Sequence, residues 1–301
     1  MTKHNKPKYI ADTETTTLEY SSSETHVWAW ACQTIGKDDT IYGKSIDSLM
    51  QRFSEITGTY YFHNLAFDGE FIVSYLLNHG WKYSDDRLPN TFNCLISQLG
   101  RWYQIEIVYA IRGNRVKSTK IYDSLKKIPF PVKVVADAFN IPEKKLTLNY
   151  DNAWKDENWL KNKNTKDYIS HDVTIVNKAL DIMFDEGLDK MTIGGDAISE
   201  YKTIVGKKVF NQLFPQLTLD TDTWLRNAYK GGFTWANPKH TGETIMGGMV
   251  YDVNSLYPST MYHALLPFGK PIPFAGQYHK NDRYPLYVQK ISCIFELKPD
   301  S

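Results

Sequence analysis

The sequence predicts an α/β fold, and three observations carry that expectation. Short runs rich in β-branched and aromatic residues read as strands. Between them, apolar residues recur at helical spacing. Strands come first with helices interspersed, the order of a layered α/β domain. With 301 residues, 42% hydrophobic and 23% charged, the chain suits one large or two ordinary folded domains. No apolar run reaches the length of a membrane span. Met1–Lys8 is basic but has no apolar segment behind it, which excludes a signal peptide. Cys32, Cys94 and Cys293 lack metal-type spacing; they are expected to be reduced thiols of a cytoplasmic protein, not zinc ligands.

Lys8–Glu14 reads as the first strand and Val27–Ile35 as the second. Ser45 suits an N-cap for a helix over Ile46–Ile56, with Leu49, Met50 and Phe53 on one face. Thr59–His63 is a short strand, followed by a helix over Asp68–His79 that stops at Gly80. Thr91–Leu99 and Trp102–Ile111 read as strands around Gly100, and Lys120–Asp123 as another. Two prolines break Ser124–Pro131, Lys133–Phe139 is helical, and a long helix spans Thr165–Phe184. Beyond Gly195 the spacing predicts helices over Ala197–Leu213 and Asp220–Tyr229, a strand at Met249–Val253 and a helix from Pro258. Tyr287–Leu297 alternates like a strand.

Net charge is +1, so global charge does not announce nucleic acid. Ile111–Tyr150, however, holds nine Lys/Arg against three Asp/Glu, a net of +6. Such a stretch is a solvated face unless it borders a site for an anionic substrate. Asp12 and Glu14, two apart on the first strand, share one face. They suit a polar strand end or, if more acids join them, a divalent cation site. Asp68 follows Tyr61-Phe-His-Asn-Leu-Ala-Phe67 at a strand-to-helix junction, as a plain N-cap or a third acid. Tyr168 and Asp172 lie four apart on the long helix and share a face; His171 points elsewhere. They suit an exposed helix face or a fourth acid with a partner.

In this order the three patterns resemble the proofreading exonucleases of the DEDD group, in their tyrosine-bearing variety, on a ribonuclease H-like fold. Four further motifs extend the likeness: Thr59-Tyr-Tyr-Phe-His-Asn-Leu-Ala-Phe-Asp-Gly69, Tyr122-Asp-Ser-Leu-Lys-Lys-Ile-Pro-Phe-Pro-Val-Lys133, Tyr229-Lys-Gly-Gly-Phe-Thr-Trp235 and Asp252-Val-Asn-Ser-Leu-Tyr-Pro258. With them the chain resembles the protein-primed family B DNA polymerases of small linear-genome phages, from about Lys8 to Ser301.

The resemblance implies a ribonuclease H-like 3′–5′ exonuclease domain over 1–188, the start of a polymerase palm over 189–261, and a terminal-protein-contacting insertion beginning at 262–301. Asp12, Glu14, Asp68 and Asp172 would hold two Mg²⁺ or Mn²⁺ ions about 4 Å apart, beside Tyr168. Lys145 would support the exonuclease chemistry, with Lys144 as its rival. Thr15, Tyr61, His63, Asn64, Phe67, Phe71, Ser124, Leu125 and Tyr150 would bind the frayed 3′ end of single-stranded DNA, aromatics stacking on bases. Tyr229, Gly231 and Gly232 would contact primer-template DNA. Asp252 would bind a catalytic metal, with Val253 and Tyr257 at the incoming dNTP.

The family's second palm carboxylate, finger lysine and thumb are not found in this sequence. The resemblance therefore implies the N-terminal half of a polymerase from a split gene or a shortened reading frame, with polymerisation needing a second polymerase chain. Asp220–Ser301 is then expected to be poorly ordered without a partner. Terminal (priming) protein is an implied partner, membrane is not, and the implied location is the cytoplasm of a phage-infected bacterium. A stand-alone exonuclease and an inactive fragment that binds DNA or terminal protein are the alternatives.

Overall fold

Strand β1 (Lys8–Thr15) shows why the first part of the chain is layered. Its side chains alternate, Ile10 entering one core and Tyr9 and Ala11 the other. The structure is a computed structural model describing residues 7–16, 25–147, 153–229, 231–232 and 234–294. It divides into two units, Met1–Glu200 and Tyr201–Ser301.

In the first unit eight strands form one sheet: β1, β2 (Val27–Thr34), β3 (Ile41–Gly43), β4 (Thr59–Phe62), β5 (Lys82–Tyr83), β6 (Thr91–Ile96), β7 (Trp102–Arg112) and β8 (Arg115–Asp123). Their order is β3-β2-β1-β4-β8-β7-β6-β5. β1, β4 and β8 are parallel neighbours, so three strand C-termini come out along one edge. Helices α1 (Ile46–Glu55) and α2 (Leu65–Asn78) cover one face through Leu49, Phe53, Ile72 and Leu76. Helices α3 (Val132–Ala138) and α4 (Lys163–Asp185) cover the other through Val135, Ile169, Val173 and Val176.

Local chemistry sets the helix ends. Ser45 and Ser48 form a reciprocal capping box at α1. The Asn162 side chain accepts from the Asn164 and Thr165 N–H groups at α4. α2 departs from expectation: it begins at Leu65, with Asn64 as N-cap in the left-handed region at φ 75°. Asp68 is therefore a first-turn residue and not the cap. Strands β3 and β5 are too short to show periodicity, and β8 reaches back to Arg115 because β7 pairs along its length.

Helices α5 (Ile193–Val205), α6 (Lys207–Leu213), α7 (Leu219–Arg226) and α8 (Leu256–His263) follow. One expected helix is split between α5 and α6 at Gly206, which sits at φ 83°. No described residue of the second unit is buried. Met249–Val253 does not form the expected strand, nor does 287–294; residues 295–297 lie outside the described set. A strand needs ladder partners for its N–H and C=O groups, and no described segment of this unit forms one with them.

Candidate active site

Because β1 alternates, Asp12 and Glu14 share the face of Ile10, and Ile10 packs in the core built by α4. α4 thus carries Tyr168 and Asp172, one turn apart, over the same strand end. From the far side of β1, α2 brings Asp68. All four carboxylates line one cleft of about 330 Å³ at the C-terminal ends of β1 and β4, with Tyr168, Lys145 and Thr15. The β1–β2 register shifts between Glu14 and Thr15, a bulge beside the site.

The acids are held individually. The Thr13 N–H and hydroxyl both donate to Asp68 Oδ1, at 3.2 and 2.5 Å. Lys145 Nζ donates to Asp172 Oδ2 at 2.7 Å. Asp172 Oδ1 is buried without a partner among the described residues. Burial pushes the Asp12 carboxyl far above its usual range, and Asp68, Glu14 and Asp172 push it further. Burial also raises Asp68, to about 7, against the pull of the Thr13 hydrogen bonds. Lys145 is lowered by burial but raised on balance by the Asp172 hydrogen bond and charge.

An all-oxygen set of four carboxylates, one with an orphaned buried oxygen, has the donor chemistry of a hard divalent cation site. The carboxylates do not form a finished cage: among the described residues no three His, Cys, Asp or Glu side chains are grouped as one. Asp68 is turned onto Thr13 and Asp172 onto Lys145.

Next to the acids lies an aromatic and polar wall. Phe67 and Phe71, on successive turns of α2, meet edge to face at 5.7 Å, and Phe67 is exposed. Asn64 is exposed at the rim. The His63 ring spans Ser124 Oγ (3.0 Å) and the Phe130 carbonyl (2.7 Å), and burial lowers its pKa. Leu125 is half-buried in the turn after β8.

Several sequence-predicted residues fall elsewhere. Tyr61 is 1% exposed, its ring against Tyr122 and Phe184, because β4's alternation turns it under α4. Tyr61 thus backs the wall from inside. Ser124 is fully buried, donates to the Phe62 carbonyl and meets the His63 ring. Lys144 pairs with Asp137, away from the acids. Tyr150 lies outside the described residues. In the second unit Tyr229, Asp252, Val253 and Tyr257 are exposed, and the Tyr257 hydroxyl lies near Gly232. Thr13, which the sequence reading passed over, holds Asp68; its place between Asp12 and Glu14 was the available signal.

The strand order and covering helices define a ribonuclease H-like α/β unit, with its acids where parallel strands end. A family model described as DNA polymerase type B, organellar and viral, matches residues 49–300. The chain is 47% identical over 291 residues to the DNA polymerase of Bacillus phage B103, covering 96% of this chain and 50% of that one. Among solved structures it resembles the phi29 DNA polymerase bound to primer-template DNA and incoming nucleotides, with TM-score 0.82 at 41% identity. It also resembles that polymerase bound to single-stranded DNA, with TM-score 0.78. Both structural matches cover 93% of this chain and 49% of the other. The chain belongs to the type B DNA polymerases of the organellar and viral family. It spans about half the length of the curated relatives it matches. Among the described residues no helix is long and apolar enough to cross a membrane.

Proposed function

We propose that the first unit is a 3′–5′ exonuclease acting on single-stranded DNA ends, in the service of a protein-primed replicative DNA polymerase. One observation carries this reading: four carboxylates from three elements line one cleft, with a lysine and a tyrosine among them. Folding alone gains nothing from grouping like charges. The solved relatives bound to single-stranded and primer-template DNA support the substrate class.

Asp12, Glu14, Asp68 and Asp172 would hold two Mg²⁺ or Mn²⁺ ions. Bound there, the ions supply Lewis-acid stabilisation of charge building on the scissile phosphate and the leaving 3′ oxygen. Tyr168 lines the same cleft and orients the attacking water through its hydroxyl. Lys145 fixes Asp172 and brings a positive charge towards the phosphate. Phe67 and Phe71 offer ring faces to the terminal bases, Thr15, His63 and Asn64 line the cleft, and Leu125 would lie further along the strand path. The basic 111–150 stretch adds attraction for the backbone.

For the second unit we propose the start of a polymerase palm, Asp252 being one of its metal-binding carboxylates. Val253 and Tyr257 would then face the nucleotide, and Tyr229, Gly231 and Gly232 the DNA. Residues 262–301 would meet the terminal protein. The family match through residue 300 supports this assignment.

A 5′-labelled single strand and a primed template, incubated with Mg²⁺ with and without dNTPs, test both proposals. Stepwise 3′ shortening that disappears in Asp12→Ala/Asp68→Ala is expected. Any extension seen with dNTPs should disappear in Asp252→Ala. A parent chain that shortens nothing overturns the exonuclease reading.

A further inference from the structure

β4 and β8 are parallel neighbours, and their last residues, Phe62 and Asp123, stand in register. Each strand runs directly into a segment of the proposed DNA path: His63-Asn64 after β4, Ser124-Leu125 after β8. Two separate loops must therefore keep one mutual geometry, although neither forms ladder bonds beyond the strand ends.

The Asp123 side chain joins them. It is 1% exposed. Its Oδ1 accepts from the Asn64 N–H at 3.1 Å, across the strand boundary, and from the Leu125 N–H at 3.0 Å, within its own turn. Its Oδ2 pairs with Lys126 Nζ at 3.1 Å. The residue it grips on the β4 side is the one in the left-handed region, Asn64 at φ 75°. A non-glycine residue keeps that conformation only where its surroundings hold it. His63 adds a second link between the loops through Ser124 Oγ. A buried carboxylate that accepts two N–H groups on one oxygen is a strong fixture.

We propose that Asp123 is a positioning residue of the exonuclease cleft, setting the Asn64 turn against the Ser124-Leu125 turn so that both reach one DNA strand. This rests on the exonuclease reading above. Asp123 does not touch the acids that would hold metal. Its loss should weaken strand binding and leave the chemical step of bound DNA largely intact.

The test uses the full chain, a fluorescein-labelled single-stranded oligonucleotide in EDTA for affinity, and 3′ shortening in Mg²⁺ for KM and kcat. Asp123→Ala should raise Kd and KM about tenfold, as expected for losing the shared acceptor, with kcat changed less than about threefold. Asp123→Asn keeps an acceptor oxygen in place and should restore binding to near the parent. Asp123→Ser, a good local cap for its own turn, is too short to reach Asn64. It should bind weakly while melting near the parent temperature, which keeps the test decisive if the alanine variant fails to fold. Parent-like binding by Asp123→Ser overturns the proposal, and so does an Asn variant as weak as the Ala one. A parent chain that neither binds nor shortens the oligonucleotide sinks the exonuclease reading instead.

Discussion

Asp68 shows how much a single carboxylate can report. Its raised pKa, to about 7, comes first from burial. The folded protein without metal therefore retains a proton that the unfolded chain has lost, over the window from about pH 4 to about pH 7. That contribution to stability is full below the unfolded pKa and is lost as pH rises through the folded one. Asp12, shifted in the same direction, acts in the same sense. In EDTA the melting temperature of the first unit should fall between pH 5 and pH 8. Adding Mg²⁺ should raise it at pH 8 and much less at pH 5, since binding needs the ionised forms. Calorimetry at the two pH values checks this; an equal Mg²⁺ effect at both would count against a carboxylate cation site. The faces of Asp12, Glu14 and Asp172 were legible in the sequence, because period-two and period-four spacing fix them, whereas Asp68 read equally as a helix cap until the fold turned it towards Thr13. Lys145 against Lys144 was not, because a loop has no periodicity; only the fold brings the former to Asp172 and leaves the latter on Asp137.

At the scale of elements, the strands and helices that pack were readable from pattern, whereas those set by a neighbour were not. The β1, β2 and β7 runs declare themselves through aromatic and β-branched residues, whereas β8 was readable only from Lys120 onward. The start of α2 did not, because Asn64 is held in its unusual conformation by Asp123, a residue about sixty positions away. Met249–Val253 has the composition of a strand but no ladder partner among the described residues. α2 also explains why glycine follows Asp68. A Cβ at Gly69 would stand 2.8 Å from the Trp102 ring on β7, so the helix lies tight against the sheet there. Gly69→Ala should force the helix or the indole aside and cost about 1–3 kcal/mol, the usual penalty of overpacking. Because Asp68 rides on the same turn, 3′ shortening should drop along with the denaturation midpoint. An alanine variant with parent stability would mean that Trp102 moves freely.

For the whole molecule, the question is where the first unit ends. The resemblance implies an exonuclease domain closing near residue 188, at the end of the long helix. Within the unit reaching to Glu200, however, a charged pair is buried beyond that point. Lys127, from the turn after β8, is completely buried and pairs with Asp196 on α5. Lys127 Nζ also donates to the Lys190 carbonyl at 2.8 Å, and the Lys190 N–H donates to Asp196 Oδ1 at 2.8 Å. The segment after α4 thus folds back to neutralise a lysine three positions from Ser124. Removing one member of a buried ion pair leaves the other charge uncompensated, at about 3–5 kcal/mol. A chain cut after residue 188 should therefore be destabilised by about that amount relative to one cut after residue 200. Lys127→Met in the shorter chain should recover much of the difference, since it removes the stranded charge. The longer fragment should unfold in one cooperative step and keep the 3′-shortening activity. Urea unfolding of the three fragments, followed by far-UV circular dichroism, measures the gap. Equal midpoints for the two lengths would show that the pair contributes nothing net, and the domain could then be drawn at residue 188 without loss.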